Sequence, residues 1–325
     1  MIHTFQNGST GRPVKKRIII FGGGFGGVYA AMHLEKLLAK EPEVEICLVA
    51  RDNFFLFTPM LHEIAASDLE ITNIVNPLRK LLRHVKVFVG EVDRIDLAGK
   101  RVVVSHGHQN DDNHSHSLKY NHLVLALGSI TNFFGLPGLA EYSLAMESLP
   151  DAIQLRARII RNLEEANAEC SFRDRPSLLT FVVAGGGFAG VETVAALNDF
   201  VREALPFYPN LRERMLRVVL VHAGSVILSE LGENLGRYTY KVLAKRGVEI
   251  RLNARVAGMT ENEVFLKVGP PIPCCTLVWT AGTMPSGGPV RVFDKRERNI
   301  LSKGHRTPKR AALKKDAIFA ELDFA

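Results

Sequence analysis

The sequence lacks the features that would place the chain inside a membrane or in an oxidising compartment. None of its apolar runs reaches the roughly 18 residues that a membrane-spanning helix needs. The first 16 residues are polar and contain no apolar core of a signal peptide, so we expect no export. Only four of the 325 residues are cysteines, without a CxxC pair or metal-ligand spacing, which is typical of a reducing cytosol.

A basic surface for nucleic acid is also not indicated, although the formal net charge is +7. Residues 286–325 hold ten Lys and Arg against five Asp and Glu, so this tail carries +5 of the net charge. A nucleic-acid site would instead concentrate its basic residues on a folded face. We therefore predict no nucleic-acid partner.

Residues 86–116 contain short segments in which apolar and polar residues alternate. Lys86–Val89 and Arg101–Val104 are predicted to be short antiparallel strands. The polar stretch His106–His116 contains four histidines and is predicted to be a solvated hairpin tip. A metal site there is the less favoured alternative because nothing in the sequence fixes the geometry of the histidines, so no metal is predicted.

The most informative feature is a glycine loop that occurs twice. RIIIFGGGFGGVYAA begins at Arg17, and TFVVAGGGFAGVETVAA begins at Thr180. Each copy follows an apolar strand and opens an amphipathic helix. The glycines stand as GxGxxG, in which the first permits a tight turn, the second allows a pyrophosphate to approach, and the third lets helix pack on strand. These glycines are Gly22, Gly24 and Gly27 in the first copy and Gly185, Gly187 and Gly190 in the second.

Two loops in the correct context imply two bound dinucleotides. A protein with two dinucleotides usually passes electrons between them, and the natural pair is a flavin and a nicotinamide. We therefore predict an α/β protein with two Rossmann-like dinucleotide-binding domains. The predicted divisions are a flexible leader (1–16), a first binding domain (17–139), a helical connector (140–177), a second binding domain (178–285) and a basic tail (286–325).

The dinucleotide-binding fingerprint, of which GxGxxG is the first part, also includes an acidic residue about 20 residues after the loop. This residue accepts a hydrogen bond from a ribose hydroxyl. The expected position after the first loop is Ala50, which leaves Asp52 as a substitute candidate. After the second loop it is His222, which could accept this bond when neutral or could be a surface residue at a strand end. NADH is thus only weakly favoured, and NADPH is not excluded.

The two copies differ after their shared Gly-Val, where the first has Tyr29 and the second has Glu192. A carboxylate beside a pyrophosphate is electrostatically unfavourable, so we expect Glu192 to point toward the reacting rings. The alternative is an acid that only complements the helix dipole.

Together the motifs resemble the type II NADH dehydrogenases, single-subunit NADH:quinone oxidoreductases of the two-dinucleotide flavoprotein superfamily. The resemblance covers roughly residues 16–285 and is carried by GGGFGGVYAA, RDNFFLFTPMLHEIA, LALGSITNFFGLPG, VVAGGGFAGVE and LVWTAGTMP. It implies FAD at the first loop, NADH at the second, and a quinone as electron acceptor. Glu192 matches the family's acidic residue near the nicotinamide and quinone sites and is the predicted catalytic residue.

The predicted cofactor-binding residues cover both loops, the strand ends and the two crossover turns. They are Gly22, Gly23, Gly24, Phe25, Gly26, Gly27, Arg51, Asp52, Ala126, Gly128, Gly185, Gly187, Phe188, Gly190, His222, Ala281 and Gly282. The segment Phe57–Met60 matches a family loop near the flavin, and core packing explains its apolar residues equally well.

After Pro285 the sequence departs from the family, which continues with a strand, a flavin-contacting Gly-Asp turn and membrane-docking helices. We expect none of these in the tail, so the first binding domain is predicted to be incomplete and to hold FAD weakly. The family implies peripheral association with the cytoplasmic face of the inner membrane; without the docking helices a cytoplasmic location is the alternative, and a homodimer is left open. Two other functions also stay open: a flavoprotein reductase with a soluble acceptor, and a non-catalytic nucleotide-binding protein.

Overall fold

A computed structural model describes residues 2–4, 16–106, 114–168, 174–286, 291–293 and 317–319. The chain forms two compact units. The first contains the segments up to Leu56, from Val75 to Ser129 and from Pro285 onward, and the second contains Phe57–Ile74 and Ile130–Met284. Residues 57–74 thus group with the second unit, and the segment that begins at Pro285 groups with the first.

The elements are numbered in chain order. The strands are β1 Ile2–Thr4, β2 Lys16–Phe21, β3 Val44–Ala50, β4 Phe54–Leu56, β5 Val75–Pro77, β6 Lys86–Val89, β7 Glu91–Asp96, β8 Arg101–His106, β9 His114–Lys119, β10 His122–Leu125, β11 Ser129–Thr131, β12 Thr180–Ala184, β13 Arg217–Val221, β14 Val248–Arg251, β15 Val256–Met259, β16 Glu263–Leu266, β17 Ile272–Pro273, β18 Thr276–Trp279, β19 Thr283–Pro285, β20 Arg291–Phe293 and β21 Ala317–Phe319. The helices are α1 Phe25–Leu37, α2 Leu61–Ala65, α3 Ile71–Ile74, α4 Leu78–Leu81, α5 Leu139–Tyr142, α6 Leu149–Asn167, α7 Arg175–Leu178, α8 Phe188–Ala204 and α9 Glu233–Lys245.

The first unit is built on a parallel sheet in the order β21-β10-β2-β3-β6. Its central strand β2 contains Ile19, Ile20 and Phe21, each completely buried. A parallel strand covered on both faces is expected to be a continuous apolar run, and this explains the sequence RIIIF. A second sheet in the order β1-β9-β8-β7-β20 lies in the same unit.

The second unit repeats this arrangement with a parallel sheet in the order β14-β13-β12-β18. In both units the strand before the glycine loop is flanked on one side by the next strand of the βαβ unit and on the other by a strand from later in the chain. Successive strands are thus added first on one side of this central strand and later on the other. The place where the strand order reverses in this way is the topological switch point, where α/β sheets bind their ligands. The predicted α/β class with two Rossmann-like halves is confirmed.

The long helix α6 precedes the second sheet and begins at a well-formed cap. The hydroxyl of Ser148 accepts from the Asp151 backbone N–H, and the Asp151 carboxylate accepts from the Ser148 backbone N–H in return. Such a capping box satisfies two helix-terminal donors at once. Its apolar face, which includes Leu155, Ile159 and Leu163, is buried.

Three expectations about strands need correction. Lys86–Val89 is not antiparallel: β6 pairs with β3 in the parallel sheet, because a short apolar segment carries no signal for the direction of its partner. The leader contributes β1, which pairs with β9. The tail, expected to add no sheet strand, contributes β20 beside β7 and β21 beside β10.

Residues 107–113 of the predicted hairpin tip lie outside the described residues, while His106 and His114 are paired at the ends of β8 and β9.

No helix in the described part of the chain combines the length and apolar character that crossing a membrane would require.

Candidate functional site

The first glycine loop connects β2 to α1 and packs closely on the turn that follows β10. Gly22 has a φ of +113°, and a Cβ placed on it would lie 1.9 Å from the carbonyl oxygen of Ala126. A Cβ on Gly27 would lie 1.9 Å from the carbonyl oxygen of Gly22. These two glycines are therefore required by the fold itself, one for the turn and one for helix-on-strand packing.

The second loop, between β12 and α8, has the same construction. Gly185 has a φ of +122° and lies against Thr280, which follows β18. A Cβ on Gly190 would lie 2.0 Å from the carbonyl oxygen of Gly185. The sequence repeat is thus also a repeat of local geometry.

The middle glycine of each loop is different, because the fold does not require it. Gly24 has a φ of −86° and Gly187 a φ of −78°, which any residue can adopt. A Cβ on either would meet no atom within 4 Å. Both residues are the N-caps of their helices, so the space in front of them faces backbone N–H groups and the positive end of a helix dipole. A pyrophosphate fits this space, and a side chain would fill it.

Phe25 and Phe188 each occupy the first position of a loop helix. The ring of Phe25 packs edge-on against Phe55, with centroids 4.9 Å apart, and stacks on Tyr29 at 6.2 Å. Phe188 is partly exposed. Phe25 thus fixes the start of α1 from the core side of the loop.

The strand-end residues of the first unit lie where the fingerprint expects a ribose contact. Ala50 is buried at the end of β3 and lies against Gly23, where an added Cβ would be 2.9 Å from the Ala50 side chain. Arg51 and Asp52 follow it and are exposed. The contact between Ala50 and Gly23 places the end of β3 directly beside the first glycine loop.

His222 occupies the corresponding position in the second unit, directly after β13. Its Nδ1 accepts a hydrogen bond of 3.0 Å from the backbone N–H of Gly186. The imidazole is thereby fixed against the second glycine loop. Because Nδ1 already accepts from Gly186, the other ring nitrogen of a neutral His222 is a donor, so His222 would donate to a ribose hydroxyl instead of accepting from it as expected.

The two crossover turns follow β10 and β18. Ala126 donates its N–H to the carbonyl of Phe21, and Gly128 has a φ of +70°. In the second unit a Cβ on Gly282 would lie 2.5 Å from the ring of Phe134, and Ala281 is exposed. The turn after β10 belongs to the first unit, and the turn after β18 belongs to the second.

Glu192 lies in the first turn of α8, with its side chain 45% exposed. Burial raises the pKa of this carboxyl, the nearby His62 lowers it, and Glu63 raises it again, with a net upward shift. The Nδ1 atom of His62 is 3.7 Å from Oε2 of Glu192. A partly desolvated acid whose pKa is shifted toward neutrality is suited to proton exchange.

Sequence reasoning missed His62 as a candidate. It lies in the segment RDNFFLFTPMLHEIA, of which only Phe57–Met60 is expected to be a loop near the flavin, and no signal in the sequence links this segment to α8. In the structure the segment contains α2, which packs against α6 and α8 within the second unit. Phe57 and Met60, from the same segment, are partly exposed.

The three cysteines in the described part of the chain, Cys47, Cys274 and Cys275, carry free thiols. Burial raises the pKa of Cys47 to about 11 and that of Cys274 to about 12, so neither is a thiolate at neutral pH. In the part of the chain that the structure describes, no group of three or more His, Cys, Asp and Glu is placed to hold a metal ion.

Comparison with known proteins gives a consistent result. Residues 16–293 match the model of the family described as pyridine nucleotide-disulphide oxidoreductase. A type II NADH:quinone oxidoreductase, Ndh, of Mycobacterium tuberculosis is 33% identical over 282 residues, which are 84% of this chain and 59% of the relative. A second protein of that organism, NdhA, is 30% identical and covers 84% and 57%.

A relative from another organism and a solved structure are also similar to this chain. The external alternative NAD(P)H-ubiquinone oxidoreductase B4 of Arabidopsis thaliana is 29% identical over 80% of this chain and 45% of the relative. The structure of NDH2 from Plasmodium falciparum in complex with NADH superposes with a TM-score of 0.76 at 20% identity, over 84% of this chain and 56% of that chain. The chain thus spans about half to three-fifths of the length of these relatives.

Proposed function

We propose that this chain, which belongs to the pyridine nucleotide-disulphide oxidoreductase family and is related to the type II NADH:quinone oxidoreductases, oxidises NADH with FAD and passes the electrons to a quinone. Its first glycine loop would hold FAD and its second NADH. When bound, the nicotinamide supplies a hydride and the flavin accepts it and transfers the electrons onward. The chain's own residues bind and orient the two cofactors and exchange protons.

The observation that carries this proposal is the open space at Gly24 and Gly187. Neither residue needs to be glycine for backbone conformation or for packing. A ligand that approaches the backbone closely is a physical reason for a glycine at such a position. Two such positions, each at the N-terminus of a helix after a parallel strand, support two anionic dinucleotides.

Glu192 is the proposed proton-exchanging residue, and its upward-shifted pKa supports this role. A disulfide acceptor working through this chain's own thiols is not favoured. Cys47, the sole cysteine after the first loop until Cys170, is buried in β3.

We also propose that the chain acts at a membrane surface on the cytoplasmic side. The relatives are named for quinone or ubiquinone as acceptor. Such acceptors are apolar and reside in lipid. The net +5 charge of residues 286–325 favours contact with anionic lipid. Homodimer formation stays a prediction.

The test uses two reciprocal variants of the full chain. Gly24→Val should lower flavin content in the purified protein while NADH binding remains, and Gly187→Val should abolish NADH binding while flavin content remains. Each variant is the control for the other, because both add the same side chain at a helix N-cap. Flavin is measured by its visible absorbance after extraction, and NADH binding by calorimetry.

Three outcomes of this test count against the proposal. Loss of both cofactors in both variants would indicate a general folding defect instead of two sites. Unchanged binding in either variant would exclude that loop as a cofactor site. If the wild-type chain binds flavin and NADH but does not reduce a soluble quinone analogue, the quinone part is wrong and the reading as a nucleotide-binding protein gains support.

A further inference from the structure

The ring of His222 has its hydrogen-bonding roles fixed by the second glycine loop. A backbone N–H can only donate, so the bond from Gly186 requires Nδ1 of His222 to be an unprotonated acceptor. A neutral imidazole carries its proton on the other nitrogen. The Nε2 atom of His222 is therefore a donor.

The surroundings hold the ring in this orientation. A Cβ on Gly186 would lie 2.5 Å from the ring, and a Cβ on Gly224 would lie 2.7 Å from Nε2, so the ring packs between two residues without side chains. The backbone is fixed on both sides, because His222 donates its N–H to the carbonyl of Arg251 and accepts from the N–H of Ala254. The position of the Nε2 N–H is thus fixed relative to the second glycine loop and to Gly224.

The residue at this strand end, directly after β13, is the one that commonly distinguishes a ribose 2′-hydroxyl from a 2′-phosphate. An acid at this strand end accepts a hydrogen bond from the ribose 2′-hydroxyl and repels a 2′-phosphate. An imidazole N–H can donate to the oxygen of either group. Residues 222–229 contain no Asp or Glu, and the first acid after His222 is Glu230.

We propose that His222 is a specificity-determining residue that allows the second nucleotide site to accept 2′-phosphorylated dinucleotides as well as NADH. This inference rests on the proposed function, because it requires the second loop to bind a nicotinamide dinucleotide. It predicts a site with little discrimination, since a neutral donor neither repels the phosphate nor attracts it as a cation would.

The experiment measures binding without turnover. ADP-ribose and 2′-phospho-ADP-ribose carry the relevant ribose but no nicotinamide, so their affinities for the full chain, measured by calorimetry, do not depend on flavin or quinone. The expected affinities of the wild-type chain differ by less than about tenfold. His222→Glu should weaken binding of the 2′-phosphorylated ligand by about ten- to a hundred-fold and leave ADP-ribose within a few-fold.

His222→Gln is the matched control. Its amide oxygen can accept from Gly186 and its amide nitrogen can donate outward, without charge, so it should retain the wild-type ratio of the two affinities. A wild-type preference for ADP-ribose above about a hundred-fold would overturn the inference, and so would an unchanged ratio in a folded His222→Glu variant. If His222→Glu does not fold, the wild-type ratio alone decides. If the wild-type chain binds neither ligand, the second loop is not a nucleotide site and the proposed function fails with the inference.

Discussion

The Nδ1 atom of His62, in α2, lies 3.7 Å from Oε2 of Glu192, in the first turn of α8. The other ring nitrogen of His62 lies 3.3 Å from Oε1 of Glu63. The imidazole thus stands between two carboxylates, one on its own helix and one on α8. This arrangement places an imidazole directly beside the Glu192 carboxylate.

We expect Glu192→Gln to lower the turnover number with a quinone analogue by about a hundred-fold, the lower end of the range for a lost general acid or base. The KM for NADH should stay within a few-fold, because the amide keeps the size of the carboxyl. Steady-state kinetics over a range of NADH concentrations separates the two effects. A loss confined to NADH binding would instead assign Glu192 to cofactor positioning.

The same substitution should stabilise the protein at neutral pH. The pKa of Glu192 is raised in the folded state above its ordinary value of 4.5, chiefly by burial. The native state therefore binds more protons than the unfolded state between these two pKa values, and stability falls as the pH rises through that window. Thermal melting should show a higher Tm for Glu192→Gln at pH 7 and no difference well below the unfolded pKa, with exposed Glu230→Gln as the control. A Tm that falls at pH 7 would show that the ionised carboxylate stabilises the fold.

Gly27→Ala and Gly190→Ala should each destabilise the chain by roughly 1 to 3 kcal/mol. Alanine normally stabilises a helix relative to glycine by roughly 0.5 to 1 kcal/mol. Here the added methyl would lie about 2 Å from a backbone oxygen, and this repulsion is larger. Gly24→Ala is the control, because its methyl meets no atom within 4 Å. Denaturant unfolding measures the difference, and equal stability of all three variants would contradict the packing argument.

Glu45 joins three parallel strands of the first unit. Its carboxylate accepts hydrogen bonds from Arg17 of β2 and from Lys86 of β6, and only 9% of its side chain is exposed. Burial raises the pKa of Glu45. The hydrogen bonds and positive charges of Lys86 and Arg17 lower this pKa by a larger amount, so the net shift is downward. The stability from this shift is present above the unfolded pKa of 4.5 and is lost as the pH falls through the folded pKa.

We therefore expect Glu45→Gln to lower the free energy of unfolding at pH 7 by about 1.5 to 3 kcal/mol, the value of a hydrogen bond to a charged group. The loss should shrink in acid. Lys86→Gln should cost less, because 63% of the Lys86 side chain is already exposed. Urea unfolding at pH 7 and at pH 4 gives both comparisons, and equal losses at the two pH values would contradict the linkage.

Ala50→Asp should increase the affinity for FAD by about ten- to a hundred-fold, since a charge-assisted hydrogen bond contributes roughly 1.5 to 3 kcal/mol. Ala50 ends β3 at the position where the fingerprint has its acid. Ala50→Asn, with the same shape and no charge, should give a smaller gain. Titration of flavin-free protein with FAD measures both variants. A weaker affinity for Ala50→Asp would indicate that the buried site cannot admit a carboxylate.

The sequence by itself determined the two glycine loops, the strands before them and the helices after them. These features are local: a GxGxxG turn needs positive φ at its first glycine and close packing at its third, and both requirements act within a few residues of chain. The repeat of RIIIFGGGFGG by TFVVAGGGFAG therefore predicted the duplicated α/β architecture and the candidate residues of both loops.

Only the tertiary structure decided the features that depend on residues distant in sequence. The direction of β6 follows from its partner β3, and the pairing of β21 with β10 depends on segments almost 200 residues apart. The neighbourhood of His62 and Glu192 arises because α2 packs on α8, and the donor role of His222 arises because Gly186 occupies its Nδ1. A side chain's hydrogen-bonding and protonation roles are set by the groups that the fold brings to it, and a linear pattern carries no record of those groups.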